Sequence, residues 1–151
     1  MTIKPEFRLY QPADRAEIET MVLALYAEDS FGQPMTTQKI QQTIAVLSSQ
    51  PDRGEILIFT VEQQVVGYAM LIFYWSNEYG GDIIFIDELY IKAAWRNRGI
   101  GKRFFEYVIA CDRENRKAIQ LEVTPLNQKG LDFFQKQGFH FLSNTSLIKK
   151  L

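Results

Sequence analysis

The strand-like run Ile83-Ile84-Phe85-Ile86-Asp87-Glu88-Leu89-Tyr90-Ile91 leads, after Lys92 to Trp95, into Arg96-Asn97-Arg98-Gly99-Ile100-Gly101-Lys102, and this join decides the fold. The first stretch is apolar, β-branched and aromatic, which predicts a strand. Asp87 and Glu88 interrupt it. An unpaired buried carboxylate is costly, so that pair must reach water, a partner or a substrate. The second stretch lies between strand and helix. Gly99 and Gly101 there permit positive φ and close approach of a ligand to the backbone. The free N–H groups and positive dipole end of the next helix face an anion. With Arg96, Arg98, Lys102 and Arg103 around it, the turn suits a pyrophosphate better than a single carboxylate.

Downstream, a helix from about Ile100 to Asn115 carries Phe104, Val108 and Cys111 on one face, and a strand follows over Ala118–Val123. Together with Ile83–Ile91 this is a βαβ unit, which makes its two strands parallel. Upstream, Glu55–Val61 and Val65–Tyr74 are separated by a turn, Glu62-Gln63-Gln64, and should pair antiparallel. A first strand over Phe7–Gln11 and two helices precede them. One helix is started by Pro12-Ala13-Asp14 and the other is capped by Thr36 or Thr37. Leu126–Gln137 reads as a last helix ended by Gly138, and Phe139–Leu142 with Thr145–Ile148 as a closing hairpin. No internal repeat or linker divides residues 1–151, so a single domain is expected.

Composition narrows the function. A chain of 151 residues, 46% hydrophobic and 23% charged, fits one globular domain with a core that needs no staples. The single cysteine, Cys111, cannot form an internal disulfide, which points to a reducing, cytoplasmic setting. Residues 1–10 lack the apolar core of a signal peptide, and no apolar run approaches the roughly 20 residues of a membrane span. Net charge is −1, yet Lys92–Lys117 holds eight basic residues against three acidic ones, and the remainder is −6. A sequence pI near 5.9 argues against duplex nucleic acid and leaves a small polyphosphate as the partner of the basic segment.

Two other phosphate motifs do not fit well. A Walker A loop requires Gly at Arg96 and Ser or Thr at Arg103. A dinucleotide fingerprint requires Gly at Phe104 and a shorter approach from the strand, although Glu122 imitates the ribose-binding acid and keeps that alternative open. Arg96-x-x-Gly99-x-Gly101, the preceding Asp87-Glu88-Leu89-Tyr90-Ile91, Asn127 with Phe133-Phe134, and Gly138-Phe139 instead resemble the GNAT superfamily of acyl-CoA-dependent N-acyltransferases over nearly the whole chain. The resemblance implies an α/β (α+β) fold: a mixed, mostly antiparallel sheet with a splayed parallel strand pair and about four helices. It implies that the backbone from Arg96 through Asn97, Arg98, Gly99, Ile100 and Gly101 to Lys102 holds the pyrophosphate of acetyl-CoA. Leu89, Tyr90 and Ile91 would offer main-chain groups to the pantetheine and acetyl carbonyl, and Asn127 and Phe134 would flank the arm. An N–H aimed at the thioester oxygen would stabilise negative charge there.

Acetyl transfer to an amine needs the neutral nucleophile, whereas a lysine-like amine has a pKa of about 10.4. By register to the family motif Asp87 takes the usual base position, through a bridging water, and Glu88 is the other candidate. Strand alternation puts only one of them in the cleft. The Ile86–Ile91 order resembles the polyamine and thialysine acetyltransferase branch. Phe134 occupies the place of a frequent tyrosine acid, so the leaving thiolate must find its proton elsewhere. Tyr26, Glu28, Asp29, Trp75 and Tyr79, with Glu78 and Asp82 nearby in sequence, could form an acidic, aromatic pocket for a small cationic amine. His140 has no metal-spaced partner and no Ser-His-Asp set is available, so neither a metal site nor a covalent hydrolase is expected. A non-catalytic acyl-CoA sensor and a protein lysine or N-terminal acetyltransferase are the alternatives, and exposed sheet edges make a homodimer an expectation.

Overall fold

The computed structural model describes residues 2–29, 32–111 and 114–151. Five strands form one sheet in the order β1-β2-β3-β4-β5: β1 (Glu6–Leu9), β2 (Gly54–Val61), β3 (Gln64–Ser76), β4 (Gly81–Ile91) and β5 (Arg116–Leu121). All neighbours are antiparallel except β4 and β5, which are parallel as the βαβ reading requires. The β2–β3 connection is tighter than the sequence suggests. Glu62 and Gln63, at φ 49° and 68°, make a two-residue turn, and Gln64 already pairs with Val61.

Two helices cover each face. Helices α1 (Arg15–Glu28) and α2 (Thr37–Ser49) bury Ile18, Met21, Val22, Ile40 and Leu47 against Ile56, Ile58, Tyr68 and Met70. On the other face α3 (Ile100–Ala110) buries Phe104, Phe105 and Val108 against Leu57, Phe59, Leu71, Ile84 and Ile86. Helix α4 (Gln128–Lys136) adds Phe133 and Phe134. Thr36 caps α2 by accepting the Lys39 N–H at 3.2 Å. Helix α3 ends at Ala110, short of the expected Asn115, and Cys111 follows it as its C-cap. Asp112 and Arg113, within the helix expected from sequence, lie outside the described residues.

The expected closing hairpin is a correction. Among the described residues no strand follows β5, and Phe141, Leu147 and Ile148 are exposed. Gly138, at φ 95°, closes α4 in a Schellman arrangement: its N–H donates to Gln135 O and the Phe139 N–H to Phe134 O. Phe139 then packs on Phe105 and Phe134, so the residue expected to open a strand instead completes the end of a helix.

The entry into α1 rests on one ion pair. Arg8 grips the buried Asp14 with two bonds of 2.7 and 2.8 Å, and the Gln11 N–H donates to the same carboxylate. The Arg8 guanidinium, chiefly, holds Asp14 below the usual carboxylate range against the opposing effect of burial. Asp14→Asn should cost about 1.5–3 kcal/mol, nearer the lower figure because Arg8 meets solvent. This stabilisation is complete above the unfolded carboxyl value of about 3.9 and is lost as pH falls through the lower folded value. Denaturant titrations of both proteins across the acid range would show the difference shrinking with the wild-type advantage.

Candidate active site

Strands β4 and β5 stay paired only to Ile86 and Leu121. Beyond that point Asp87–Ile91 has no strand on its β5 side among the described residues, so the backbone there borders a gap. The expected splay is therefore present. Its acids are placed by a β-bulge: Met70 pairs with Glu88 and Leu71 with Ile86, leaving Asp87 as the extra residue. The bulge shifts the alternation by one. Ile86 and Leu89 both belong to the α3 face, whereas Glu88 bonds tyrosines of the α1 face and Tyr90 packs there.

The two carboxylates consequently differ. Asp87 is open to solvent, yet crowding by neighbouring atoms and, secondarily, the charge of Glu122 raise its pKa above the ordinary aspartate range. Glu88 is only 8% exposed. Its Oε1 accepts a hydrogen bond from the Tyr68 hydroxyl and its Oε2 one from the Tyr26 hydroxyl, each 2.8 Å long. Burial raises its pKa, the two tyrosines oppose that rise and Asp87 adds to it. Burial and the Glu88 charge in turn hold both phenols well above their usual range, so each stays a protonated donor. Among the described residues no cation pairs with Asp87, Glu88 or Glu122.

The glycine turn stands at the far end of the same strand. Asn97 and Gly99 both have left-handed φ, 60° and 78°, which curls the backbone tightly ahead of α3. The first intrahelical bond recorded for the turn is from Arg103 N–H to Gly99 O, so the amides of Ile100, Gly101 and Lys102 precede the helical ladder, and Gly99 offers no side-chain cap. Arg98 stacks over Trp95, with 5.1 Å to the ring centroid, and Lys102 leans toward Glu106 at 4.0 Å.

Arg96 and Gly101 have roles the sequence did not reveal. Arg96 donates Nε–H to Ile91 O at 2.8 Å, holds the Glu28 carboxylate at 2.8 and 2.9 Å and lies over the Tyr90 ring, so it ties the turn to β4 and α1. That pairing explains the acid at the end of α1: Glu28 serves a cation across the gap between elements. Gly101 is helical rather than left-handed. A Cβ there would lie 3.0 Å from Phe133 Cζ, tighter than an ordinary contact, so the Phe133 ring would have to give way slightly. Similarly, Asn127 caps α4 by accepting the Gly130 N–H at 2.9 Å through its side-chain oxygen. Phe134 packs among Phe105, Phe133 and Phe139.

Several sequence candidates come together and two do not. Tyr26, Glu88 and Asp87 share one site, and Asp29 lines with Tyr26, Gly32 and Met35 a cavity of about 210 Å³. Trp75 pairs with Asp82, five residues before Asp87 and so about 16 Å along the strand, and is 62% exposed; Tyr79 lies in the β3–β4 turn beyond it. A groove of about 1640 Å³ on the open side of β5 reaches Glu122, Asn127, Phe134 and Tyr79. Sequence reasoning missed Tyr68 as a site residue, and it weighed Glu122 only as a ribose ligand. A tyrosine amid the aliphatic run of β3 was the available signal for Tyr68, since a buried hydroxyl must find a partner.

The profile of the acetyltransferase (GNAT) family matches residues 13–139, a span that contains the bulge, the glycine turn and Asn127. The chain belongs to this family. Acetyl transfer is the activity that membership supports, with acetyl-CoA the donor the family generally uses. Solved structures agree on the fold. A possible acetyltransferase from Clostridium difficile 630 superposes with a TM-score of 0.84 at 19% identity, covering 97% of each chain. A ribosomal-protein-alanine N-acetyltransferase from Brucella melitensis biovar Abortus 2308 gives 0.77 at 16% identity, covering 97% of this chain and 100% of that one. An aminoglycoside acetyltransferase from an uncultured soil metagenomic sample, solved in complex with sisomicin, gives 0.72 at 14% identity, covering 99% and 97%. At these identities the likeness is one of architecture. Among the described residues of this GNAT protein no helix is long and apolar enough to cross a membrane.

Proposed function

We propose that this GNAT protein is an N-acetyltransferase that moves an acetyl group from acetyl-CoA directly to a primary amine of a small cationic molecule. The observation that carries the reading is the bulge at Asp87, which sets an aspartate at the point where β4 and β5 part, upstream of an uncapped, left-handed turn. Acetyl-CoA supplies an activated acetyl thioester. The amides of Ile100, Gly101 and Lys102 and the nest at Asn97–Gly99 would hold its diphosphate. The exposed β4 edge at Leu89–Ile91 and the Asn127 amide nitrogen would hold the arm, with Phe134 as an apolar wall.

Transfer forms an N–C bond and breaks a C–S bond. A carboxylate at the bulge takes the ammonium's proton, through water in the case of the short Asp87 side chain, and passes it to solvent. Phe134 has no proton to give, so the departing thiolate is protonated by water; with a thiol pKa of about 8.5 it leaves readily. The uncompensated acids at the gap, Asp87, Glu88 and Glu122, support a cationic acceptor.

Release of coenzyme A thiol should be followed with acetyl-CoA and a panel of diamines, amino sugars, amino acids and lysine-containing peptides. Turnover with a small amine is the expected result. Coenzyme binding without thiol release on any acceptor would overturn it in favour of an acyl-CoA sensor, the reading that the phenylalanine at position 134 favours. Turnover confined to peptides would instead make the acceptor a protein amine.

A further inference from the structure

Strand β5 ends the sheet on a bare edge. Among the described residues no strand lies on its side away from β4, so the backbone of 117–121 has no ladder partner there. The groove of about 1640 Å³ runs along this edge and is bounded by Ile119 and Leu121 of β5 and by Phe141, Leu142 and Ser146 of the tail. Phe139 is held on Phe105 and Phe134, which fixes the start of the tail as one boundary of the groove.

Beyond that boundary the chain does not turn back. Every residue from 141 to 151 is exposed, Leu147 and Ile148 at 94% and 96%. Among the described residues, the one hydrogen bond from 145–151 to the body of the chain joins Lys150 Nζ to Gln33 Oε1, 2.8 Å long and open to solvent. Adjacent residues of a strand point to opposite faces, so Leu147 and Ile148 would put an apolar side chain on each face, as a strand covered on both sides requires. At about 3.3 Å per residue, 145–151 extends roughly 23 Å and the six residues of β5 roughly 20 Å. The lengths match.

Within one copy the groove and the segment that fits it stay apart, because 139–146 already bound the groove and the chain then runs on to Gln33. Two copies about a two-fold axis satisfy both, each giving its segment and receiving the other's. At about 1.45 Å² per dalton of extended chain, seven such residues expose roughly 1,100 Å². Half of each segment with the matching groove surface comes to roughly 2,200 Å², enough for a stable dimer, which needs about 1,200–2,000 Å².

We propose that the protein is a homodimer in which residues 145–151 of one copy add a strand to the open β5 edge of the other. The added strand lies in the groove that Asn127 and Phe134 also line.

Light scattering of the full chain should give twice 17.6 kDa at micromolar concentration. Leu147→Asp combined with Ile148→Asp changes residues exposed in the single copy, so circular dichroism should be unaltered. The pair should nevertheless raise the dissociation constant by about a hundredfold or more, since four large apolar side chains per dimer lose their cover. Ending the chain at Asn144 should give the same monomer. Dimers mixed from isotope-labelled and unlabelled protein locate the segment: filtered NOEs should join the Leu147 and Ile148 methyls of one copy to the Ile119 or Leu121 methyls of the other. A monomeric wild type would overturn the proposal, and the same NOEs found within one copy would show the tail folding onto its own β5 instead. A dimer that survives both the double substitution and the shortened chain would also overturn it, by placing the interface elsewhere.

Discussion

Asp87→Asn is expected to lower kcat for any responsive amine by about 10²–10⁴-fold, the usual range for losing a positioned general base. The affinity for coenzyme A should stay within about twofold, because the turn proposed to hold the cofactor begins at Arg96, beyond the end of β4. The substitution is isosteric and falls at an open bulge, so the fold has little to lose. Partial desolvation by the atoms crowded around it, then Glu122, raises the Asp87 carboxyl and so moves it toward the pH at which an amine must be deprotonated. Glu122→Gln should therefore shift the acidic limb of kcat/KM to lower pH. Stability follows the opposite sign from activity. A carboxyl raised in the folded state makes its ionised form unfavourable to folding above that raised value, a cost relieved as pH falls through it. Asp87→Asn should accordingly melt higher than wild type at pH 7–8, with the gap closing in mild acid.

Gly101→Leu should have the second large effect, on binding and stability together. Even a Cβ at this site meets Phe133 at 3.0 and 3.4 Å and Ile91 Cδ1 at 3.8 Å, so a leucine must displace α4 or push the start of α3 away from β4. Overpacking of this kind costs about 1–3 kcal/mol. The displaced amides should weaken coenzyme A binding by about tenfold or more, since anion binding at a helix start depends on the aim of its first N–H groups. Phe133→Ala made together with Gly101→Leu should recover part of both losses; independent, additive losses would contradict the packing account. Gly99→Ala is the contrasting case. Nothing lies within 4 Å of its Cβ, and the cost is the left-handed φ of 78°, about 1–2 kcal/mol.

The sequence disclosed those features whose cause is local. The two glycines of 96–103 marked the strand-to-helix turn, the Glu62-Gln63-Gln64 punctuation marked the β2–β3 hairpin within one residue, and the strand-helix-strand order fixed the parallel pair. What stayed hidden depends on contacts distant in the chain. The bulge at Asp87 leaves no trace because Ile86 and Leu89 are apolar in either phase, and only pairing with Met70 and Leu71 shows the extra residue. Glu28, at a helix C-terminus, is paired with Arg96, 68 residues away, a contact the sequence does not mark. Tyr68 is a core residue whose hydroxyl meets Glu88, 20 residues away, and that partner is not marked in the sequence. The tail shows the reverse error: Phe139–Leu142 has strand composition, but the Schellman closure at Gly138 spends Phe139 on α4 and α3.

We propose that the start of α3 seats the diphosphate of coenzyme A. A nitrogen-15 NMR titration of the whole protein with coenzyme A reads it directly. Saturable shifts are expected, largest at the amides of Asn97 to Lys102, with smaller ones at Leu89–Ile91 and the Asn127 side chain. Saturation that leaves Ile100, Gly101 and Lys102 unmoved, or no binding at millimolar coenzyme A, would contradict it.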